Sequence, residues 1–494
     1  MQKSLPETLQ KIHKKIFKKS IYIWICFAYN VRIKRDKYVR KFEEIIQGKF
    51  VYNNVTLSDV AERFGTPTKL IFMDFIEKRV CDLKSAFNTA IKKINYKGKC
   101  LYLNANKANY SSDMIFVASK FSDGIETSSF YDLLFTKKLI RCTKNILKNK
   151  VIFCNGFKQA DYINEIAKMS EKGFDITNII DSMQEFEKML NLETKKPLKI
   201  GVRVNLECLY HETAEPYRDR FGLTKEELRI VLEKLKTQKN LVLTTVHFHQ
   251  RGFNFEEEKF YKNLGIAFDE YYVPMKKKFK SIINFDIGGG TPLPADSDFD
   301  YNSWASGIVN FLKKRCEKHD IDEPNIILEN GKYTVKDSMV NLYKVIGEKN
   351  TDEKFAWRIV DGSLMIAMPE YFALGEEIKV EPINLLENEK AHSKLAGLTC
   401  DCDDIYFDRK LGYIDLPKTS ATENLFIGVL GTGSYQESMN GRNGVHHCLM
   451  PEEKRVLTFF KNGKREFVVD NELQSPQDIF KSVKLNSKNL KKFF

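Results

Sequence analysis

Six short stretches of the sequence concentrate side chains able to do chemistry. LYLNANKAN, starting at Leu101, carries Lys107, an amine able to condense with a carbonyl compound, although taken alone it is a surface lysine like most. VHFHQRG sets His247 and His249 two residues apart on one face of an extended chain. A core or salt-bridged imidazole is the plainer use, and a zinc pair is disfavoured because no third ligand of suitable spacing follows. Asp286-Ile287-Gly288-Gly289-Gly290 offers consecutive glycines whose backbone N–H groups can approach a ligand with no side chain in the way. Glu329-Asn330-Gly331-Lys332 offers a carboxylate and a cation that could face a phosphate, although on a surface the two would be an ordinary ion pair. GLTCDCDD, from Gly397 to Asp404, could bind a metal, although so tight a run cannot easily wrap one ion without outside ligands, and a thiol beside a carboxylate that recognises a cation is as good a reading. In LGTGSYQES, Tyr435 follows Gly431 and Gly433 on a turn that could present a phenol to an anion.

These residues need elements to position them, and the apolar patterning supplies a set. Short apolar runs at Cys100 to Leu103, Gly124 to Thr127, Val151 to Cys154, Thr177 to Ile180, Lys199 to Val204, Leu241 to Phe248, Ile282 to Ile287 and Asn325 to Glu329 alternate with amphipathic stretches. Lys225 to Thr237, with Leu228, Val231, Leu232 and Leu235 on one face, and Glu256 to Lys278 read as helices. Strands that each feed a helix, in this number, predict an α/β (β/α)8 TIM barrel rather than an open doubly wound sheet. Lys107, one of His247 and His249, the three glycines and Glu329 then share the rim at the strands' C-terminal ends, where barrel enzymes place their sites, and the loops after strands seven and eight are the habitual phosphate site. A rim lysine, a phosphate cradle, a flat ring donor, a carboxylate and a thiol together meet the needs of pyridoxal phosphate. The lysine would form a Schiff base, the glycines hold the phosphate, and an acid keep the pyridine nitrogen protonated.

With 494 residues, 43% hydrophobic and 29% charged, the chain is long enough for several domains and too apolar to be largely disordered. We read residues 1–49 as a basic extension, 50–99 as a segment leading into the barrel and partly packing with a later domain, 100–335 as the barrel, 336–475 as a β-rich domain, and 476–494 as a Lys-rich tail. In the segment 50–75 a turn at Gly65-Thr66-Pro67 precedes a strand-like Lys69 to Phe72. The net charge of +13 sits at the ends: residues 1–50 hold 13 Lys/Arg against four acids, residues 481–494 hold five Lys and no acid, and the remainder is close to neutral. No nucleic-acid partner is expected of so neutral a body. The ten cysteines include no CxxC pair, which favours a reducing compartment. The apolar run Ile21 to Tyr29 is far shorter than the roughly 20 residues a membrane helix needs, so no membrane partner is expected. A cytoplasmic protein is predicted, with an organellar transit segment at the basic N-terminus as the alternative.

The motifs and their order resemble the fold-type III pyridoxal-phosphate decarboxylases, which include ornithine, diaminopimelate and arginine decarboxylases, over about residues 50–460. The resemblance implies an alanine-racemase-like barrel joined to a β-rich domain. In the family a Lys-Ala-Asn after the first strand carries the cofactor lysine, matching Lys107-Ala108-Asn109. The imidazole stacked on the pyridine ring corresponds to His249, the phosphate-binding glycines to Gly288, Gly289 and Gly290, and the acid that pairs with the pyridinium to Glu329. The Gly-x-x-Cys-Asp/Glu element matches Gly397 to Asp401. Cys400 would supply the proton that replaces carbon dioxide, and Asp401, with Asp361 or Asp404, would grip the cationic end of the substrate. Tyr435 falls where the family places a tyrosine near the phosphate. The family further implies a homodimer with sites shared across the interface.

CNGFKQADYI from Cys154, the Gly-Leu-Thr-Cys-Asp run and Gly-Ser-Tyr-Gln-Glu followed by His446-His447 look most like the arginine decarboxylase branch. Arginine to agmatine is therefore the expected reaction, with ornithine, lysine or diaminopimelate as alternative substrates. A racemase and a catalytically silent regulatory relative are the rival functions. The sequence departs from the family pattern at Lys332, where a phosphate-binding Arg is usual, at Arg251-Gly252, which replaces Gly-Ser, at Asn330 for Pro and at Ser434 for Ala.

Overall fold

The computed structural model describes residues 42–206, 220–249, 257–293, 299–350, 354–486 and 490–493. Arg251, Gly252 and the run Ile21 to Tyr29 lie outside them. The apolar runs form a closed barrel of parallel strands: Cys100–Ala105, Gly124–Thr127, Val151–Cys154, Ile176–Ile180, Leu198–Arg203, Leu241–His247, Asn284–Asp286 and Asn325–Asn330. The last strand closes on the first, Ile326 opposite Cys100 and Glu329 opposite Leu103. Parallel strands are covered on both faces, which is why they read as continuous apolar runs. The helix expected after the fifth strand runs Lys225–Leu235 and starts at Thr224 with a reciprocal capping box to Glu227. The stretch expected to be one helix from Glu256 is Glu257–Ile266 followed by a wider π-helical segment, Ala267–Tyr272, and then Val273–Lys278.

Inside the barrel the two-residue alternation of strands decides which side chains reach the mouth. Leu103, Phe153, Ile179 and Ile327 form a separate buried cluster that plugs the interior. Gly124 and Gly201 belong to the same layer: a Cβ at Gly124 would sit 2.5 Å from Leu103, and one at Gly201 would sit 2.4 Å from Ile179. One step of two residues further along five of these six strands, the inward position is polar: Glu126, Asn155, Asp181, Arg203 and Glu329. His247 and Asp286 complete the ring, with His247 in register opposite both Arg203 and Asp286.

The C-terminal region is β-rich. Among the described residues a ten-stranded sheet runs through Met339–Lys349, and the early strand Thr68–Phe72 is built into it, antiparallel to Met339–Lys349 and parallel to Lys454–Lys461. This places the segment before the barrel inside the later sheet. Buried charges fasten sheet and barrel together. Arg455 is fully buried and reaches Asp470 at 2.6 Å, Ser111 at 3.0 Å and Asp113 at 3.5 Å. Lys69 pairs with Glu452 at 2.5 Å and Glu437 at 3.5 Å. Among the described residues no helix is long and apolar enough to cross a membrane.

Candidate active site

Beyond the first strand the chain makes a single 3-10 turn, Asn106–Ala108, which lifts Lys107 to the rim. Its Nζ lies 3.5 Å from Glu126 Oε1. The side chain is 45% exposed, while its partner Glu126 is fully buried. The Glu126 carboxylate, and then Glu329, hold the Lys107 amine above its ordinary range despite the opposing cost of burial. Asn155 bridges the two acids, its Nδ2 donating to Glu329 Oε1 at 2.7 Å and to Glu126 Oε1 at 3.1 Å.

The floor of the mouth is acidic. Burial, reinforced by the neighbouring Asp286 carboxylate and eased by His247, raises the Glu329 carboxyl to about 8. Burial likewise raises Asp286 to about 7, although the Gly288 N–H donates to its Oδ1 at 2.9 Å. His247 is pushed down to about 4 by burial. Its Nδ1 stands 3.2 Å from Asp286 Oδ2, yet among the described residues neither atom has a hydrogen-bond partner, and Glu126 Oε2 is likewise buried without one. Buried polar atoms left open in this way suit a polar ligand that brings its own donors. Burial, with the nearby Arg203 and Lys107 charges, pushes His249 well below its ordinary range and keeps its ring neutral, as a stacking partner should be.

The glycine turn is shaped by close approach. Gly288 has φ +70° and a Cβ there would meet His249 Nδ1 at 2.7 Å; a Cβ on Gly289 would meet the Glu329 carbonyl oxygen at 2.5 Å. Gly290 has φ +96°, again the left-handed side of the map. Tyr435, at φ +64°, joins from the β-rich region through its N–H, which donates to the Ala108 carbonyl at 2.6 Å, next to Lys107. The residues therefore fit pyridoxal phosphate: an amine at the rim, a backbone cradle no larger residue could form, a neutral ring beside it, and a buried acid that a pyridinium would let ionise.

The remaining expected residues lie apart from the rim. Cys400 is exposed, with its Sγ 3.6 Å from Cys448 Sγ. Asp401 faces His447, Oδ2 to Nε2 3.0 Å. Asp404 is buried and accepts from the Met365 N–H at Oδ1 and from the Thr399 hydroxyl at Oδ2, so its oxygens tie its loop to the helix Leu364–Ala367. Asp361 accepts from Thr66 Oγ1 at 2.5 Å and from the Lys344 N–H at 2.9 Å, tying the Pro67 turn to the sheet. None of these four makes a hydrogen bond or ion pair with the rim among the described residues. Lys332, the cation expected to face the phosphate, has its ammonium on Glu376, which Lys336 also approaches at 3.4 Å. An ion pair to the neighbouring region occupies it instead.

Glu126, Asn155 and Arg203 are rim residues that motif reading overlooked, and Asp286 was named only as the start of the glycine run. The available signal was a polar side chain at the C-terminal end of an apolar run, two residues after an inward apolar or glycine position.

The sequence matches the pyridoxal-dependent decarboxylase family, over its pyridoxal binding domain, at residues 78–336, and the chain belongs to that family. Among its relatives, the biosynthetic arginine decarboxylase of Geobacter sp. (strain M21) is 27% identical over 301 residues, covering 57% of this chain and 46% of that protein. The biosynthetic arginine decarboxylase of Pasteurella multocida (strain Pm70) is 24% identical over 440 residues, 83% of this chain and 65% of that one. The chain thus spans about half the length of the first of these curated relatives. The crystal structure of the biosynthetic arginine decarboxylase SpeA from Campylobacter jejuni superposes with a TM-score of 0.78 at 20% identity, covering 93% of this chain and 91% of that one. Diaminopimelate decarboxylase from M. jannaschii gives 0.71 at 20% identity, over 89% and 97%. These structural likenesses establish the shared barrel-plus-sheet fold.

Proposed function

We propose that the chain catalyses the pyridoxal-phosphate-dependent α-decarboxylation of a basic amino acid, arginine to agmatine, as a cytoplasmic homodimer. The observation that carries this reading is Lys107 Nζ, 3.5 Å from Glu126 and within the electrostatic reach of Glu329 and Tyr435, at a mouth where His249 and Glu329 pack against Gly288 and Gly289. When bound, pyridoxal phosphate supplies an aldehyde for the substrate amine and a protonated ring that accepts the electrons left as carbon dioxide departs. Lys107 would hold the cofactor and yield its place to the substrate amine. Gly288, Gly289 and Gly290, with Tyr435, would bind the phosphate, and His249 would lie against the ring. Glu329 would keep a proton on the ring nitrogen, steadied by Asn155.

Cys400 and Asp401 stand apart from the chain's own rim, so in this reading they serve the mouth of a second copy. Cys400 would deliver the proton to Cα. Asp401 would hold the substrate's positive tail through charge-assisted hydrogen bonds, while Asp361 and Asp404, whose oxygens are taken by Thr66, the Lys344 N–H, the Met365 N–H and Thr399, would shape the surrounding segments. The names of the relatives support arginine over its homologues. The test is a carbon-dioxide release assay across arginine, ornithine, lysine and diaminopimelate, with and without added pyridoxal phosphate. Cofactor-dependent release from arginine above the others is expected. Exchange of the Cα hydrogen without release would point to a racemase, and no reaction at all would overturn the proposal.

A further inference from the structure

The thiol read above as the proton donor has a second thiol against it. Cys400 Sγ and Cys448 Sγ are 3.6 Å apart and both residues are exposed. The contact is one of two that register the same pair of segments: Asp401, the next residue, meets His447, the residue before Cys448, at 3.0 Å. Two neighbouring cross-contacts hold the loop after the strand Lys390–Ala396 against the turn His447–Leu449 in a defined alignment. That turn is conformationally unusual, with Cys448 at φ +53° and Leu449 at φ +52°, a region non-glycine residues rarely adopt. A disulfide needs its sulfurs about 2 Å apart, and both cysteines sit exposed with their sulfurs already in contact. The Cys448 sulfur also pushes the Cys400 thiol above its ordinary range, which keeps a proton on it when the pair is reduced.

We propose that Cys400 and Cys448 form a reversible dithiol–disulfide site for small disulfides of the glutathione class, which switches the enzyme off by removing the Cys400 thiol. One cysteine, as thiolate, attacks the small disulfide, forming a mixed disulfide and releasing one small thiolate. The other cysteine, as thiolate, attacks the protein sulfur of that mixed disulfide and releases the second. The two protein thiols are oxidised by two electrons, the small disulfide is reduced to two thiols, and the two cysteine protons pass to them. The loss of activity rests on the reading of Cys400 as proton donor, whereas formation of the bond does not.

The experiment treats the full-length, cofactor-loaded chain with oxidised glutathione at pH 8, alkylates free thiols, and maps the peptides by mass in parallel with carbon-dioxide release. A peptide pair joining Cys400 to Cys448 and lighter by two hydrogens is expected, with release reduced about 100-fold and restored by dithiothreitol. Cys448→Ser and Cys448→Ala should keep the untreated rate and resist the oxidant, and Cys402→Ser should behave as wild type. A bond from Cys400 to Cys402, or a mixed disulfide that never closes, would overturn the site while leaving the proposed reaction intact. A Cys400–Cys448 bond with full activity would overturn the switch. A reduced chain without decarboxylase activity would sink the proposed function, and the peptide map would still decide whether the disulfide site exists.

Discussion

Asn155 donates its side-chain amide to Glu329 Oε1 at 2.7 Å, and the same nitrogen lies 3.1 Å from Glu126 Oε1, so one residue at the end of the third strand holds both acids that face Lys107. Removing it leaves buried carboxyls short of a donor, which costs about 1–3 kcal/mol. Asn155→Ala should weaken pyridoxal phosphate binding about 10- to 100-fold, measured by absorbance titration of the cofactor-free chain. Unchanged affinity would mean that Glu329 needs no such support.

The Glu329 carboxyl gives a pH signature. Its folded value, about 8, lies above the ordinary 4.5, so the folded chain binds this proton more tightly than the unfolded one. The stability it contributes is complete below about pH 4.5 and is lost as pH rises towards 8. Glu329→Gln has no proton to lose. In the cofactor-free state its melting temperature should match wild type near pH 4.5 and exceed it at pH 8, by a margin worth on the order of 1 kcal/mol or more. The same variant should lose about 100-fold in turnover, because an amide cannot balance a charged ring nitrogen.

At the junction of barrel and sheet the sign reverses. Burial alone would raise the Glu437 carboxyl, but Arg455, Lys69 and Arg442 outweigh it and hold the group well below the usual range. Glu437 also accepts from Asn109 Nδ2 at 3.2 Å and Ser111 Oγ at 3.0 Å, just past Lys107. Its stabilisation is present above the ordinary 4.5 and is lost as pH falls below it. Glu437→Ala leaves two buried cations short of a partner and should cost about 3–5 kcal/mol at neutral pH, with a smaller deficit in acid, read by denaturant unfolding at pH 7 and pH 4.

Asp401 tests the substrate's far end. Loss of a charged acceptor for a guanidinium costs about 1.5–3 kcal/mol, so Asp401→Asn should raise KM for arginine about 10- to 100-fold with a smaller effect on kcat. A variant with unchanged KM would move substrate recognition elsewhere.

How much of this was legible beforehand follows from what each residue type reports. The barrel strands announced themselves as apolar runs because parallel strands are covered on both faces, even where the seventh shortens to Asn284–Asp286. Lys107, His249, the glycines and Glu329 were visible as motifs, and the fold gathers them at one rim. Glu126 and Asn155 were not, because a polar residue closing an apolar run reads equally well as the start of a loop. Only the inward alternation above Gly124 and Phe153 marks them as rim residues. Lys332 misled for the opposite reason: its motif put a cation near the phosphate, while its partner Glu376 comes from a distant segment that no local pattern announces. The Cys400–Cys448 contact is likewise long-range, made by two loops whose meeting depends on the folded sheet.

The proposed chemistry depends on the attachment of the cofactor to Lys107. Reduction of the pyridoxal-phosphate-loaded chain with borohydride, followed by peptide mass mapping, should place the pyridoxyl group on the peptide containing Lys107, and Lys107→Ala should carry no bound cofactor and release no carbon dioxide. Label on another lysine with Lys107 unmodified, or an active Lys107→Ala chain, would contradict it.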